Sequence, residues 1–368
     1  MLRCLFILFA ILLTACGRPE PIIGVETVVP VETVPGAVQQ KVFIATTRKA
    51  SDETGVFFSG ARFQGTNFAS VEVSVPPSHV PGKIERPKNA PPDPRKHFVI
   101  EQPTNFSGKD SFKSELTAHL RKLPPNRRNV MLFVHGYNTD LTSAVLQVSQ
   151  FVHDANYDGV PLLFSWASRG ETLKYVYDIN SALVARDQLA GMLDVFGMPS
   201  VAGFDIIAHS MGTFLVMETS RQIALTTGVN PLGKARNIVL ASPDIDLDLF
   251  IAQISILGPQ VSGLVVLVSQ DDKALRASRR VAGGVTRIGQ MPASALSQLG
   301  VNAIDLSEVN DNNSLSHSKF KDSPEVVQLM GDALATQETF SQGPRLSLGQ
   351  SIAVGVDGTL QVLNPLAQ

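Results

Sequence analysis

Cysteine is nearly absent: Cys4 and Cys16 are the only two in 368 residues. No disulfide can then form beyond the first sixteen residues, and the remainder must be held by its own core. With 44% apolar residues a single large domain is within reach. An excess of charge is missing as well, since 31 basic residues face 33 acidic ones. That balance offers no electrostatic footprint for nucleic acid, and the cluster Arg121, Lys122, Arg127 and Arg128 around "PPN" reads as a solvated turn. No apolar run approaches the roughly 20 residues of a membrane-spanning helix. There is no grouping of His, Cys or carboxylates at metal-ligand spacing, no phosphate-binding loop, no dinucleotide fingerprint and no internal repeat. No metal and no cofactor are expected.

What the sequence does contain begins with "MLRCLFILFAILLTACG": one basic residue, a short apolar stretch, then small residues before Cys16. This is the layout of a secretory leader. Thr14-Ala15-Cys16 resembles the lipobox of bacterial lipoproteins, which implies a leader over 1–15 and an acylated Cys16 as the new N-terminus. An ordinary leader that leaves Cys16 unmodified is the alternative. Gly17 rather than aspartate after the cysteine implies, by the same resemblance, the outer membrane of a bacterial envelope, facing the periplasm. Residues 16–40 carry several prolines and no helical period, as expected of an extended tether. A folded domain is expected over 41–338 and a tail over 339–368, with a possible hairpin at Asp357-Gly358.

From Lys41, "VFIAT" and "SVEVSVP" read as a leading antiparallel pair at a sheet edge, and a proline-rich passage, Pro76 to Pro94, follows. Beyond Asn129, short apolar runs alternate with stretches of helical period, the pattern of βα units around a mostly parallel sheet. The strands are "VMLFVHG", "PLLFSWA", "FDIIAHS", "NIVLASP", "LVVLVSQ" and "VNAIDLSEV". A final helix is expected from Ser323-Pro324-Glu325.

"FDIIAHSMG" (204–212) places Ser210 at the junction of a buried strand and a helix. A turn that abrupt needs small neighbours, supplied by Gly212 and Ala208, and it lifts a serine Oγ above the carboxyl edge of the sheet. The helix that follows aims free N–H groups and its positive dipole end at a reacting oxygen. Ala208 stands where the pattern G-x-S-x-G has its first glycine.

Residues 41 to about 335 resemble the α/β-hydrolase superfamily, in particular a bacterial esterase/lipase-like family of largely unassigned function. "FVHGYN", "FSWASRG", "AHSMG", "LASPDID" and "HSKF" carry the resemblance in this order. It implies an α/β-hydrolase fold and a serine hydrolase acting on a small-molecule carboxylic ester through a Ser-His-Asp triad. The chain order of that fold puts an acid after Ser210 and a histidine last. His317 is the only histidine downstream of Ser210. Asp272 has the spacing usual in the family, Asp271 is a candidate helix cap, and Asp244 and Asp246 are the alternative acids. The N–H groups of Tyr137, or Asn138, and of Met211 are the candidate oxyanion donors. His135 and His209, inside the motifs, are expected to shape loops, and His79, His97, His119 and His153 to be structural. An envelope peptidase or amidase with the same triad, and a non-catalytic binding lipoprotein of the same fold, are the competing functions.

Overall fold

A computed structural model describes residues 19–228, 235–258, 263–310 and 315–335, with the backbone of 352–354 and 360–362. The leader 1–15, Cys16 and most of the tail lie outside the described residues. Three long strands come first: β1 (Val38–Ala50), β2 (Phe58–Val75) and β3 (Val99–Phe106). After α1 (Lys109–Arg121), strand and helix alternate as expected. The units are β4 (Asn129–Val134), α2 (Leu141–Asp154), β5 (Val160–Ser165), α3 (Tyr175–Met192), β6 (Gly203–His209) and α4 (Met211–Thr227). Then come β7 (Asn237–Ala241), α5 (Leu247–Leu257), β8 (Leu264–Val268), α6 (Lys273–Val281), α7 (Ala293–Gln298), β9 (Asn302–Asp305), α8 (Lys319–Asp322) and α9 (Pro324–Ala335). Strands β10 (Ile352–Val354) and β11 (Leu360–Val362) pair antiparallel around the proposed hairpin, whose turn is outside the described residues.

One sheet results, in the order β10-β11-β9-β8-β7-β6-β4-β5-β1-β2-β3. Its centre is parallel from β5 through β9. Strands β4, β5, β7 and β8 are buried along their whole length, as a parallel sheet covered on both faces requires. Alternate residues feed two cores. Val130, Leu132 and Val134 face α1, α3, α4, α5 and α7, while Met131 and Phe133 face α2, α8 and α9.

The leading antiparallel pair is present as β1 and β2 and is extended by β3; β1 also joins the sheet parallel to β5, pairing Phe43 with Leu162 and Thr46 with Ser165. Pro103 sits in the outermost strand, β3, where a missing N–H costs no ladder bond. The segment expected to be a free tether is docked over residues 19–37: Ile22, Ile23, Val31 and Val34 are buried, and Ile23 bridges Ile100. Its hydrophobic residues, spaced between prolines, find a groove that composition alone does not reveal. Among the described residues no helix is long and apolar enough to cross a membrane.

Helix α9 crosses close to the end of α2 because Gly331 has no side chain; a Cβ there would stand 2.1 Å from the Ala155 carbonyl oxygen. Gly191, in α3, faces open space. In urea titrations Gly331→Ala should therefore lose about 2 kcal/mol or more through overpacking. Gly191→Ala should gain about 0.5–1 kcal/mol by removing chain entropy from a helix interior.

Candidate active site

The parallel strands end at one edge of the sheet, and the loops leaving β4, β6, β7 and β8 meet there, the side where open α/β sheets bind ligands. Backbone strain gathers at the same edge. Asn138, Ser210, Ser242 and Ser316 all have positive φ without being glycine, and such conformations each cost on the order of 1–3 kcal/mol.

Ser210 is the sharpest case, at φ 51° and ψ −122°. Its N–H still belongs to the sheet, donating to the Ala241 carbonyl at 2.9 Å. Its carbonyl already belongs to the helix, accepting from the Thr213 N–H at 3.0 Å and from Thr213 Oγ1 at 2.6 Å. One residue thus serves strand and helix at once, and its backbone must reverse within itself. Neighbours have to be small for this to pack. A Cβ on Gly212 would lie 2.4 Å from the Val134 carbonyl oxygen, and one on Gly136 would lie 2.9 Å from Ser210 Cβ. Ala208 is fully buried, so its methyl replaces the usual glycine without obstruction.

Asp272 and His317, 45 residues apart, are joined by a 2.6 Å contact between Oδ2 and Nδ1. The carboxylate is wholly buried. Its other oxygen caps α6, accepting from the Leu275 N–H at 2.9 Å, so its charge faces the positive end of a helix. Capping, expected of Asp271, falls to Asp272. Asp271 instead pairs with Lys319, both oxygens at 2.9 Å, and Lys319 also donates to the carbonyls of Leu306 and Ser307. Asp246 caps α5. Asp244 is occupied by Ser278 Oγ (2.5 Å), Tyr175 hydroxyl (3.0 Å) and Arg287 (3.3 Å). Of the four acids, Asp272 is the one in contact with His317.

His209 couples the serine strand to the His317 loop. Its Nε2 donates to the His317 carbonyl at 3.1 Å, and the two rings stand 4.8 Å apart. Burial, with His317 beside it, pushes the His209 pKa well below the usual histidine range. His135 is likewise held down to about 3, by burial and by the Arg48 charge. Both are neutral rings that shape loops, as expected of them.

The loop after β4 presents Tyr137 and Asn138. The Asn138 N–H is taken by Asp178 Oδ2 at 3.2 Å. Among the described residues, no hydrogen bond uses the N–H of Tyr137 or of Met211. Beneath this loop lies an assembly that the sequence reading missed. Arg48, on β1, is fully buried and donates to Ser165 Oγ (2.8 Å), the Ser168 carbonyl (2.8 Å) and the Thr139 carbonyl (2.6 Å), and lies 3.3 Å from His135 Nε2. Burial lowers its pKa to about 10, which leaves the guanidinium charged at neutral pH. Trp166 stacks on the His135 ring and donates to the His135 carbonyl at 2.8 Å. Asp178 accepts from Ser168 Oγ and from the Arg169 N–H. The motif "FSWASRG" was the available signal for half of this; Arg48, 87 residues before His135, left none.

Beside Met211 opens a cavity of about 250 Å³, lined by Ile179, Phe214, Ile245 and Leu249, with Tyr175 and the Asp244–Arg287 pair in its wall.

The strain at residue 210 can be measured without chemistry. Ser210→Gly should be more stable than Ser210→Ala by about 1 kcal/mol, because only glycine adopts this conformation at low cost. Equal stabilities in chemical denaturation would show that the turn is unstrained.

Several solved esterases resemble the chain weakly. A hyperthermophilic esterase from Pyrobaculum calidifontis shares 15% identity, covering 57% of this chain and 76% of its own, with a TM-score of 0.33. A fungal esterase structure from Rhizomucor miehei gives 11%, 82%, 84% and 0.34. A thermostable esterase from Pseudomonas putida gives 13%, 86%, 85% and 0.33. Likeness of this degree carries no argument about activity, and no curated protein matches the chain. The family comparison is decisive where these are not. Residues 108–333, which span the Ser210 turn, the Tyr137 loop and the Asp272–His317 pair, match the family described as "Alpha/beta hydrolase of unknown function (DUF900)", and the chain belongs to that family.

Proposed function

We propose that this α/β hydrolase is a serine carboxylesterase with Ser210 as nucleophile, His317 as base and Asp272 as the acid that orients it. The observation that carries the reading is the strained Ser210 turn at the sheet edge where the buried Asp272 carboxylate holds His317. Bonding of Nδ1 to Asp272 fixes the tautomer and leaves Nε2 for the serine proton. Ser210 Oγ attacks the ester carbonyl carbon as Nε2 accepts that proton, and the carbonyl oxygen becomes an oxyanion. The unpartnered N–H groups of Tyr137 and Met211 are the donors suited to hold it. Collapse expels the alcohol, which takes the proton from His317. Water then repeats the sequence on the acyl-serine, releasing the acid and restoring Ser210. The cavity beside Met211 favours a short acyl or alkyl group.

The envelope lipoprotein reading belongs to the same proposal: a leader over 1–15, lipid on Cys16 and a domain facing the periplasm. Docking of Ile22 shortens the reach expected of the anchor. Ile22 is six residue steps from Cys16, at most about 22 Å when extended. The domain would then sit against the bilayer.

Purified protein should hydrolyse p-nitrophenyl acetate and butyrate faster than the palmitate. Ser210→Ala, Asp272→Asn and His317→Ala, each checked for folding by circular dichroism, should lower kcat by about 10³-fold or more. An inert wild type that a fluorophosphonate probe leaves unlabelled would remove the esterase reading. Preference for p-nitroanilides would move it to an amidase with the same machinery.

A further inference from the structure

Between β2 and β3 the chain runs from 76 to 98 without helix or strand, longer than most connections in a compact domain. Arg86 ties it to Ser143 and to the carbonyls of Pro19 and Glu20, and a second anchor joins it to the end of α2. His79, its side chain only 4% exposed, lies with Nε2 2.7 Å from Asp154 Oδ1 and Nδ1 2.7 Å from Glu85 Oε2. Asp154, the last residue of α2, is itself fixed by the Gly82 N–H (2.8 Å) and Gln150 Nε2 (2.6 Å) on its other oxygen. His153 stands beside them, its ring 5.1 Å from that of His79. Among the described residues no hydrogen bond uses the His153 ring.

Hydrogen bonding alone accounts for His79 between two carboxylates, but not for a second imidazole turned to the same point with nothing to bind. We propose that His79, His153 and Asp154 form a structural site for a divalent transition ion, Zn²⁺ being the best match to a set of two imidazoles and one carboxylate. One ligand atom from each lies within 4.8 Å of the other two. In a tetrahedral zinc site such atoms are about 3.4 Å apart. The ion takes the place of the proton between His79 Nε2 and Asp154 Oδ1, which leaves to solvent, and that 2.7 Å contact widens while the His153 ring turns inward. Glu85 then has the role that outer carboxylates play at zinc histidines, accepting from Nδ1–H and aiming Nε2 at the metal. Gln150 Nε2 and the Gly82 N–H donate to Asp154 Oδ2 and so hold Oδ1 toward the metal. A water completes four-coordination. The sequence conceals the site because 74 positions separate the two histidines; only the docking of the 76–98 loop onto the end of α2 brings them together. The ion would pin this loop, and it stands outside the Ser210 site.

The test uses the full chain stripped with chelator, then given Zn²⁺ alone. Thermal unfolding of wild type should rise by about 5 °C at saturation, and His317→Ala should keep the rise. His153→Ala, which breaks no hydrogen bond, should unfold at the wild-type metal-free temperature and show no rise. Co²⁺ should give the visible absorption of a four-coordinate ion in wild type, a readout independent of whether the variant folds. No shift in wild type, an equal shift in His153→Ala, or a purely six-coordinate cobalt spectrum would each overturn the site.

Discussion

The backbone reversal at Ser210 is the constraint around which the molecule is arranged. A residue that closes a sheet ladder with its N–H and opens a helix with its carbonyl has no relaxed conformation available. The surroundings must over-determine it. They do so through the absence of side chains at Gly136 and Gly212, which lets β4 approach within contact of the turn, and through burial on both faces of β6. The strain is the structural cost of presenting one hydroxyl above the sheet, and positive φ recurs at Asn138, Ser242 and Ser316 along the same edge.

Arg48 explains why the leading strands are an integral part of the domain. Its guanidinium has no carboxylate in direct contact, yet it stays charged at neutral pH although burial lowers its pKa to about 10. Four oxygen acceptors and the neutral His135 ring satisfy it: the Ser59 carbonyl on β2, Ser165 Oγ at the end of β5, and the Thr139 and Ser168 carbonyls in the loops after β4 and β5. Parallel pairing of β1 with β5 is what brings the residue there. Such a network is costly if any member is missing, so the shape of the Tyr137 loop depends on a strand more than eighty residues earlier. In the proposed mechanism that loop supplies an oxyanion donor, and its rigidity translates into stabilisation at the moment charge develops.

A second layer of ties surrounds the Asp272–His317 pair. Lys319 joins the loop after β8 to the one after β9, and His209 joins the latter to the serine strand. Each tie is a neutral or compensated group, which suits a site where a stray charge would compete with the reacting one.

Periodicity and motif determined a great deal by themselves. The alternation of buried runs with helical faces set the parallel sheet, because a strand covered on both sides leaves no position for polar residues. The smallness of Ala208 and Gly212 around Ser210 announced the turn, and His317 stood out as the one histidine downstream. Local patterns of this kind are legible because adjacent residues share one element. Tertiary structure decided the rest. Asp272 rather than Asp271 contacts His317 because the former's carboxylate points inward at the helix cap while the latter's is drawn out to Lys319. The N–H of Asn138 is spent on Asp178. Arg48, the docked segment of residues 19–37 and the His79, His153 and Asp154 cluster all rest on contacts between residues tens of positions apart. No sequence spacing encodes these, since they exist only once separate elements have packed.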